Sequence, residues 1–158
     1  MPEVNGEPLR IDLSRYASGR LPIVVVRSDY TDDRTWADLL AELAESPGGD
    51  VVAVHPVSGP AWSGVGADAV LAALTPGAPV AVFIADATTM NRAGRPMVVV
   101  RAVPAAGPMR DDGAGRQFRA AAEVVPVLHL NLERGSLPFE EYHAAARGSA
   151  WGVYSRAS

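Results

Sequence analysis

The sequence contains no cysteine and no lysine. Without cysteine there is no disulfide, no thiolate nucleophile, no iron–sulfur cluster and no cysteine zinc site. Without lysine there is no Schiff base, no anchor for pyridoxal phosphate and no phosphate-binding lysine of the Walker type. All 14 cations are therefore arginine, and they are outnumbered by 18 carboxylates. The net charge of −4 denies the chain the basic surface that a nucleic-acid backbone demands. No apolar run approaches the roughly 18 residues of a membrane span. Residues 1–16 also lack the basic-then-apolar order of a signal peptide, so the expected address is cytoplasmic.

What is present is enough for one core: 158 residues, 48% of them apolar, can bury most of the surface of the unfolded chain. Residues 1–20 read as a loose N-terminal arm with one short strand around Leu9, Ile11 and Leu13. Residues 21–158 read as a single α/β domain.

Ile23–Val26 is a continuous apolar run, the pattern of a strand covered on both faces. Thr31, Asp32 and Asp33 then supply capping oxygens, and Trp36, Leu39, Leu40 and Leu43 place one apolar stripe on the helix that follows. A second strand over Val51–Val57, a short helix over Ala67–Leu74 and a third strand over Val80–Ala85 complete a β-α-β-α-β pattern with parallel strands. The second half differs. Asn91–Pro96 reads as a turn with no room for a helix, so a fourth strand over Met97–Val103 should run antiparallel.

Residues 104–115 read as a mobile polar loop and Gln117–Val125 as another strand. Val127, His129 and Asn131 alternate with Leu128, Leu130 and Leu132, a period of two that predicts a strand with His129 and Asn131 on one face. Pro138 should open a last helix with Phe139, Tyr142 and Ala146 inward, and Trp151–Tyr154 a terminal strand or docking tail. The expected fold is α/β: a mixed sheet of five or six strands with three helices, parallel in its first half and antiparallel in its second.

The block Ile23-Val-Val-Val-Arg-Ser-Asp-Tyr-Thr-Asp-Asp-Arg-Thr-Trp36 resembles the opening of an actinobacterial domain family of unknown function. Ile84-Ala-Asp-Ala-Thr-Thr-Met90, Gly115-Arg-Gln-Phe-Arg119 and Asn131-Leu132 followed by Phe139-Glu-Glu-Tyr142 are similar to further blocks of it, in the same order. The resemblance implies a compact standalone domain and brings no chemistry with it.

Asp29 and Asp86 each follow a buried apolar strand, and strand order 2-1-3 would make those strands neighbours. Open α/β sheets bind ligands in the crevice at such strand ends. Two carboxylates there could share a proton or hold a divalent cation; the plainer reading is that each caps the turn that follows it. Gly64-Val-Gly-Ala-Asp-Ala69 spells G-x-G-x-x-A, but six residues separate it from the preceding strand, too many for a phosphate-binding turn. Ser63 lacks the two glycines of a nucleophile elbow, since Ala61 and Val65 stand there. A phospho-receiver reading fails for want of its lysine. His55, His129 and His143 show no metal-ligand spacing.

With no catalytic motif surviving, the first functional expectation is a noncatalytic binding or accessory protein, of an immunity-like or regulatory kind. The alternative is a small cofactor-independent acid/base enzyme, an isomerase, lyase or cyclase of the kind used in secondary metabolism. Its candidate catalytic residues are Asp29, Asp86 and His129, with Arg27, Tyr30, Thr88 and Asn131 as ligand-binding neighbours. No metal or cofactor is implied. The expected partner is a protein or a small molecule, not nucleic acid or membrane, and self-association is left open.

Overall fold

The computed structural model describes residues 3–4, 7–16, 19–45, 52–75, 77–102 and 117–155. A short hairpin, β1 (Glu3–Val4) antiparallel to β2 (Glu7–Pro8), precedes the main sheet. The order is then β3 (Ile23–Arg27), α1 (Asp33–Ala44), β4 (Val54–Val57), α2 (Ala67–Ala73), β5 (Ala81–Ala85) and α3 (Ala87–Asn91). It continues with β6 (Met97–Arg101), β7 (Gln117–Ala120), α4 (Val125–Arg134), α5 (Phe139–Arg147) and β8 (Val153–Tyr154).

Six strands form one mixed sheet in the order β4-β3-β5-β6-β7-β8. β4, β3 and β5 are parallel, β6 is antiparallel to both its neighbours, and β8 is parallel to β7. The parallel β-α-β-α-β half is as the apolar runs predict, and its strands lie in the order 2-1-3, which the apolar runs leave open. The registers Arg27↔Ala85, Ile84↔Val98, Met97↔Ala120 and Ala120↔Tyr154 bring the carboxyl ends of β3, β5, β7 and β8 to one rim of the sheet.

Every residue of β3 and β5 is buried because both faces of the sheet are covered. Ile23, Val25, Phe83, Met97, Val99 and Phe118 face α1, α4 and α5, where Trp36, Leu39 and Leu43 deliver the expected stripe. Val24, Val26, Val82, Ile84, Val98 and Val100 face Trp62 and Val70 on the other side. Leu9, Ile11 and Leu13, in the stretch read as an arm, are buried in that second cluster, and the Ile11 amide donates to the Ala73 carbonyl at 2.8 Å.

Two elements correct the sequence reading. Residues 125–134 form helix α4, not a strand. The helix is buried on most of its circumference, so Leu128, Leu130 and Leu132 are all inside and the alternation carries no information about period. Its ends held the decisive signal. Pro126 sits in the first turn, where its missing N–H costs nothing, and Gly135 closes the helix with φ 72°, in the left-handed region. The second correction is α3, which fits between β5 and β6 because its start is an Asp86–Thr89 capping box and the turn after it is tight. The described residues thus hold five α-helices where three were expected. The loop read over residues 104–115 lies outside the described residues.

Both edges of the sheet are blunted. On β4 the third residue is Pro56, which has no N–H to offer an incoming strand. β8 is two residues long, and its Val153 carbonyl accepts from the Ser149 hydroxyl at 2.7 Å.

Candidate functional site

At the end of β3 the chain turns sharply into α1, and Arg27 holds that turn together. Its side chain is only 7% exposed. Nε donates to the Asp29 carbonyl at 2.8 Å, a terminal nitrogen to Asp33 Oδ1 at 2.7 Å, and the guanidinium lies 4.4 Å from the Tyr30 ring centroid and 5.6 Å from that of Trp36. Asp33 is 90% exposed, so that ion pair is worth no more than about 1 kcal/mol. The rings and the carbonyl are what make burial of the charge tolerable. Tyr30 extends the same network: its hydroxyl accepts from the Gly59 amide at 2.8 Å and lies 2.7 Å from the Gly59 carbonyl, tying the β3 exit to the loop after β4. Asp29 accepts from the Thr31 amide at 3.1 Å and from the Thr31 hydroxyl, the turn-capping arrangement.

Asp86 stands at the next strand end; the Ser28 amide donates to the Ala85 carbonyl at 3.0 Å, so the two exits are adjacent. Its carboxylate caps α3 through the Thr89 amide at 3.1 Å and meets Arg119 through two bonds, 3.0 Å to Oδ1 and 2.7 Å to Oδ2. Burial pushes the Asp86 carboxyl up, but the Arg119 hydrogen bonds, the Thr89 amide and the Arg119 charge outweigh it and hold the group below its ordinary value of 3.8. The arginine that neutralises Asp86 is thus Arg119, from β7. Thr89, fully buried, and Arg119 both also donate to the Pro96 carbonyl, at 2.8 and 3.0 Å. Thr88, beside it, is half-buried on α3.

His129 does not join this rim. It is 2% exposed on α4, and its Nε2 lies 3.0 Å from the carbonyl of Leu21, before β3 begins. A carbonyl only accepts, so Nε2 carries the proton in the neutral ring. Leu21 is at the opposite end of the strand from Arg27, roughly 20 Å away at the rise of an extended chain. Burial pushes the His129 pKa down, against the Leu21 hydrogen bond and the nearby Glu133 charge. Asn131, read as sharing a strand face with His129, instead donates from α4 to the Tyr142 hydroxyl at 2.8 Å. His143 is half-buried against the rings of Phe118 and Phe139. Among the described residues, no three His, Asp or Glu side chains gather into a metal site.

A different region carries the open surface. The three large apolar side chains that are exposed among the described residues are Trp151 at 82%, Val127 at 42% and Leu137 at 38%. All three lie along adjoining hollows around the corner made by α4, α5 and β8. One is a cavity of about 700 Å³ walled by Arg92, Gly94 and Pro96 of the α3–β6 turn and by Trp151, Tyr154 and Ala121. A second, of about 310 Å³, contains Val127, Leu137 and Asn131 and shares Tyr154 and Glu123 with the first. Over the indole of Trp151 lies the Arg92 guanidinium, 5.2 Å from its centroid. Of these residues only Asn131 was a site candidate in the sequence. A clue was the pair Trp151-Gly152, an aromatic beside a turn-former just past a helix end, where an apolar residue need not reach the core.

The model of the family described as a domain of unknown function, DUF6924, matches residues 22–156 of this chain, and the chain belongs to that family. The match spans the six-stranded sheet and the corner around Trp151, in agreement with the resemblance read from the opening block. Among curated proteins nothing matches the chain. No helix among the described residues is long and apolar enough to cross a membrane.

Proposed function

We propose that this member of the DUF6924 family is a noncatalytic binding module that works in the cytoplasm and docks a protein partner on the corner formed by α4, α5 and β8. The observation that carries the reading is that Trp151, Val127 and Leu137, the large apolar side chains exposed among the described residues, line two hollows that share Glu123, Tyr154 and Ser155. Scattered exposed apolar residues need no explanation, whereas a contiguous group with an exposed tryptophan is the usual makeup of an interface anchor. The acid/base alternative has less in its favour. Asp29 and Asp86 spend their oxygens on turn and helix caps, Asp86 is also neutralised by Arg119, and His129 sits at the far end of β3.

The test is capture from producing cells with the tagged chain, followed by identification, purification and re-binding of the captured protein. A stoichiometric partner whose affinity drops about thirtyfold or more with Trp151→Ala, the scale of an interface hot spot, supports the reading. A partner bound equally by the Trp151→Ala and Leu137→Ser variants refutes it.

A further inference from the structure

The cavity beside Trp151 has features that a flat contact surface does not require. Among the described residues, two that are not glycine hold a left-handed backbone: Trp151 at φ 66° and Arg95 at φ 46°. Such conformations are uncommon for bulky side chains and gather at ligand sites, where surrounding structure over-determines them. Here they flank one cavity from both sides, Trp151 directly and Arg95 within the turn whose Arg92, Gly94 and Pro96 form the facing wall.

Both walls are pinned. The Ser149 hydroxyl lies 2.7 Å from the carbonyls of Ala146 and Val153, bracketing the loop that presents Trp151. Across the cavity, the Ala122 amide donates to the Gly94 carbonyl at 3.0 Å, and Thr89 and Arg119 hold the Pro96 carbonyl. A volume of about 700 Å³ suits a small organic molecule, and the cavity lies off the carboxyl ends of β7 and β8.

The geometry points to a binding site in this cavity for a small planar aromatic monoanion, such as an aromatic carboxylate. Trp151, 82% exposed, supplies indole surface for stacking, and Arg92, 5.2 Å from the ring centroid, supplies the charge. The inference rests on the reading above only in using the same corner; it makes the module responsive to a small molecule as well as to a partner.

The probe is 2-naphthoate, with neutral 2-naphthylmethanol as its control, titrated calorimetrically into the full chain. Wild type is expected to bind one equivalent of naphthoate in preference to the alcohol. Trp151→Ala should weaken naphthoate about tenfold or more and Trp151→Phe far less, while Arg92→Gln should weaken naphthoate about tenfold and leave the alcohol unchanged. Unsaturable binding, equal binding of acid and alcohol to wild type, or variants that bind as wild type does would overturn the proposal. Thermal melts confirm that each variant is folded. Partner capture is read separately, so a captured partner with no naphthoate binding refutes this inference alone.

Discussion

Asp86 and Arg119 meet through two hydrogen bonds, 3.0 and 2.7 Å long, across β6, the strand that separates theirs. The pair joins the parallel half of the sheet to its mixed half at the one rim where β5 and β7 both end. Arg119→Ala should therefore destabilise the fold by about 1.5–3 kcal/mol in urea unfolding, the range for hydrogen bonds to a charged group. The pH dependence has a definite sign. The folded carboxyl lies below 3.8, so its contribution is present above that value and is lost as pH falls through the folded pKa. Asp86→Asn should flatten the acid limb of the stability curve.

His129 makes a prediction in a different window. Its folded pKa is depressed below 6.5 by burial, so the unfolded chain binds a proton that the native state resists. Stability from this group is complete above about pH 6.5 and declines as pH falls toward the folded pKa. His129→Gln, whose amide can still donate to the Leu21 carbonyl, should lose much of that decline below about pH 6.5, as measured by denaturant midpoints. His55, also depressed by burial and by Arg15, contributes with the same sign, so the double variant should be flatter still.

Trp36 and Trp151 should respond in opposite ways to the same change. Trp36, 8% exposed in the α1 core, should cost roughly 3–5 kcal/mol when replaced by alanine. Trp151→Ala should stay within about 0.5 kcal/mol, because it removes contact mainly with solvent. Its loss should also abolish most acrylamide quenching of the tryptophan fluorescence, since Trp36 and Trp62 are buried.

Gly135→Ala isolates a backbone effect. A Cβ there meets nothing within 4 Å, yet φ is +72°, so the expected cost of about 1 kcal/mol comes from left-handed backbone alone. An unchanged unfolding midpoint would mean that the end of α4 relaxes without penalty.

The parallel half of the fold was legible because buried strands and an amphipathic helix leave different marks: Ile23–Val26 is a block, while Trp36, Leu39 and Leu43 form a stripe. That distinction fails for α4, which is buried nearly all round, so Leu128, Leu130 and Leu132 fit a strand as well as a helix; the Pro126 and Gly135 bookends outweigh the alternation. The candidate site was less legible still. The position of Asp86 could be read from its strand, but its partner Arg119 lies 33 residues later and is brought there by register alone. Trp151 was read as part of a docking tail by its apolar character, and only the left-handed turn at 151–152 sends it outward.

Pro56 on one margin of the sheet and the Ser149 hydroxyl on the Val153 carbonyl at the other have a consequence for how the molecule can be used. A sheet whose outermost backbone is partly spoken for cannot readily be lengthened by a neighbour's chain, so copies at high concentration are denied the ladder by which sheets polymerise. Under the proposed binding role, recognition would be left to side chains, which can be exchanged one at a time without disturbing the hydrogen-bonded frame. Substitutions at the corner around Trp151 can alter its chemistry while the six strands beneath it stay in register.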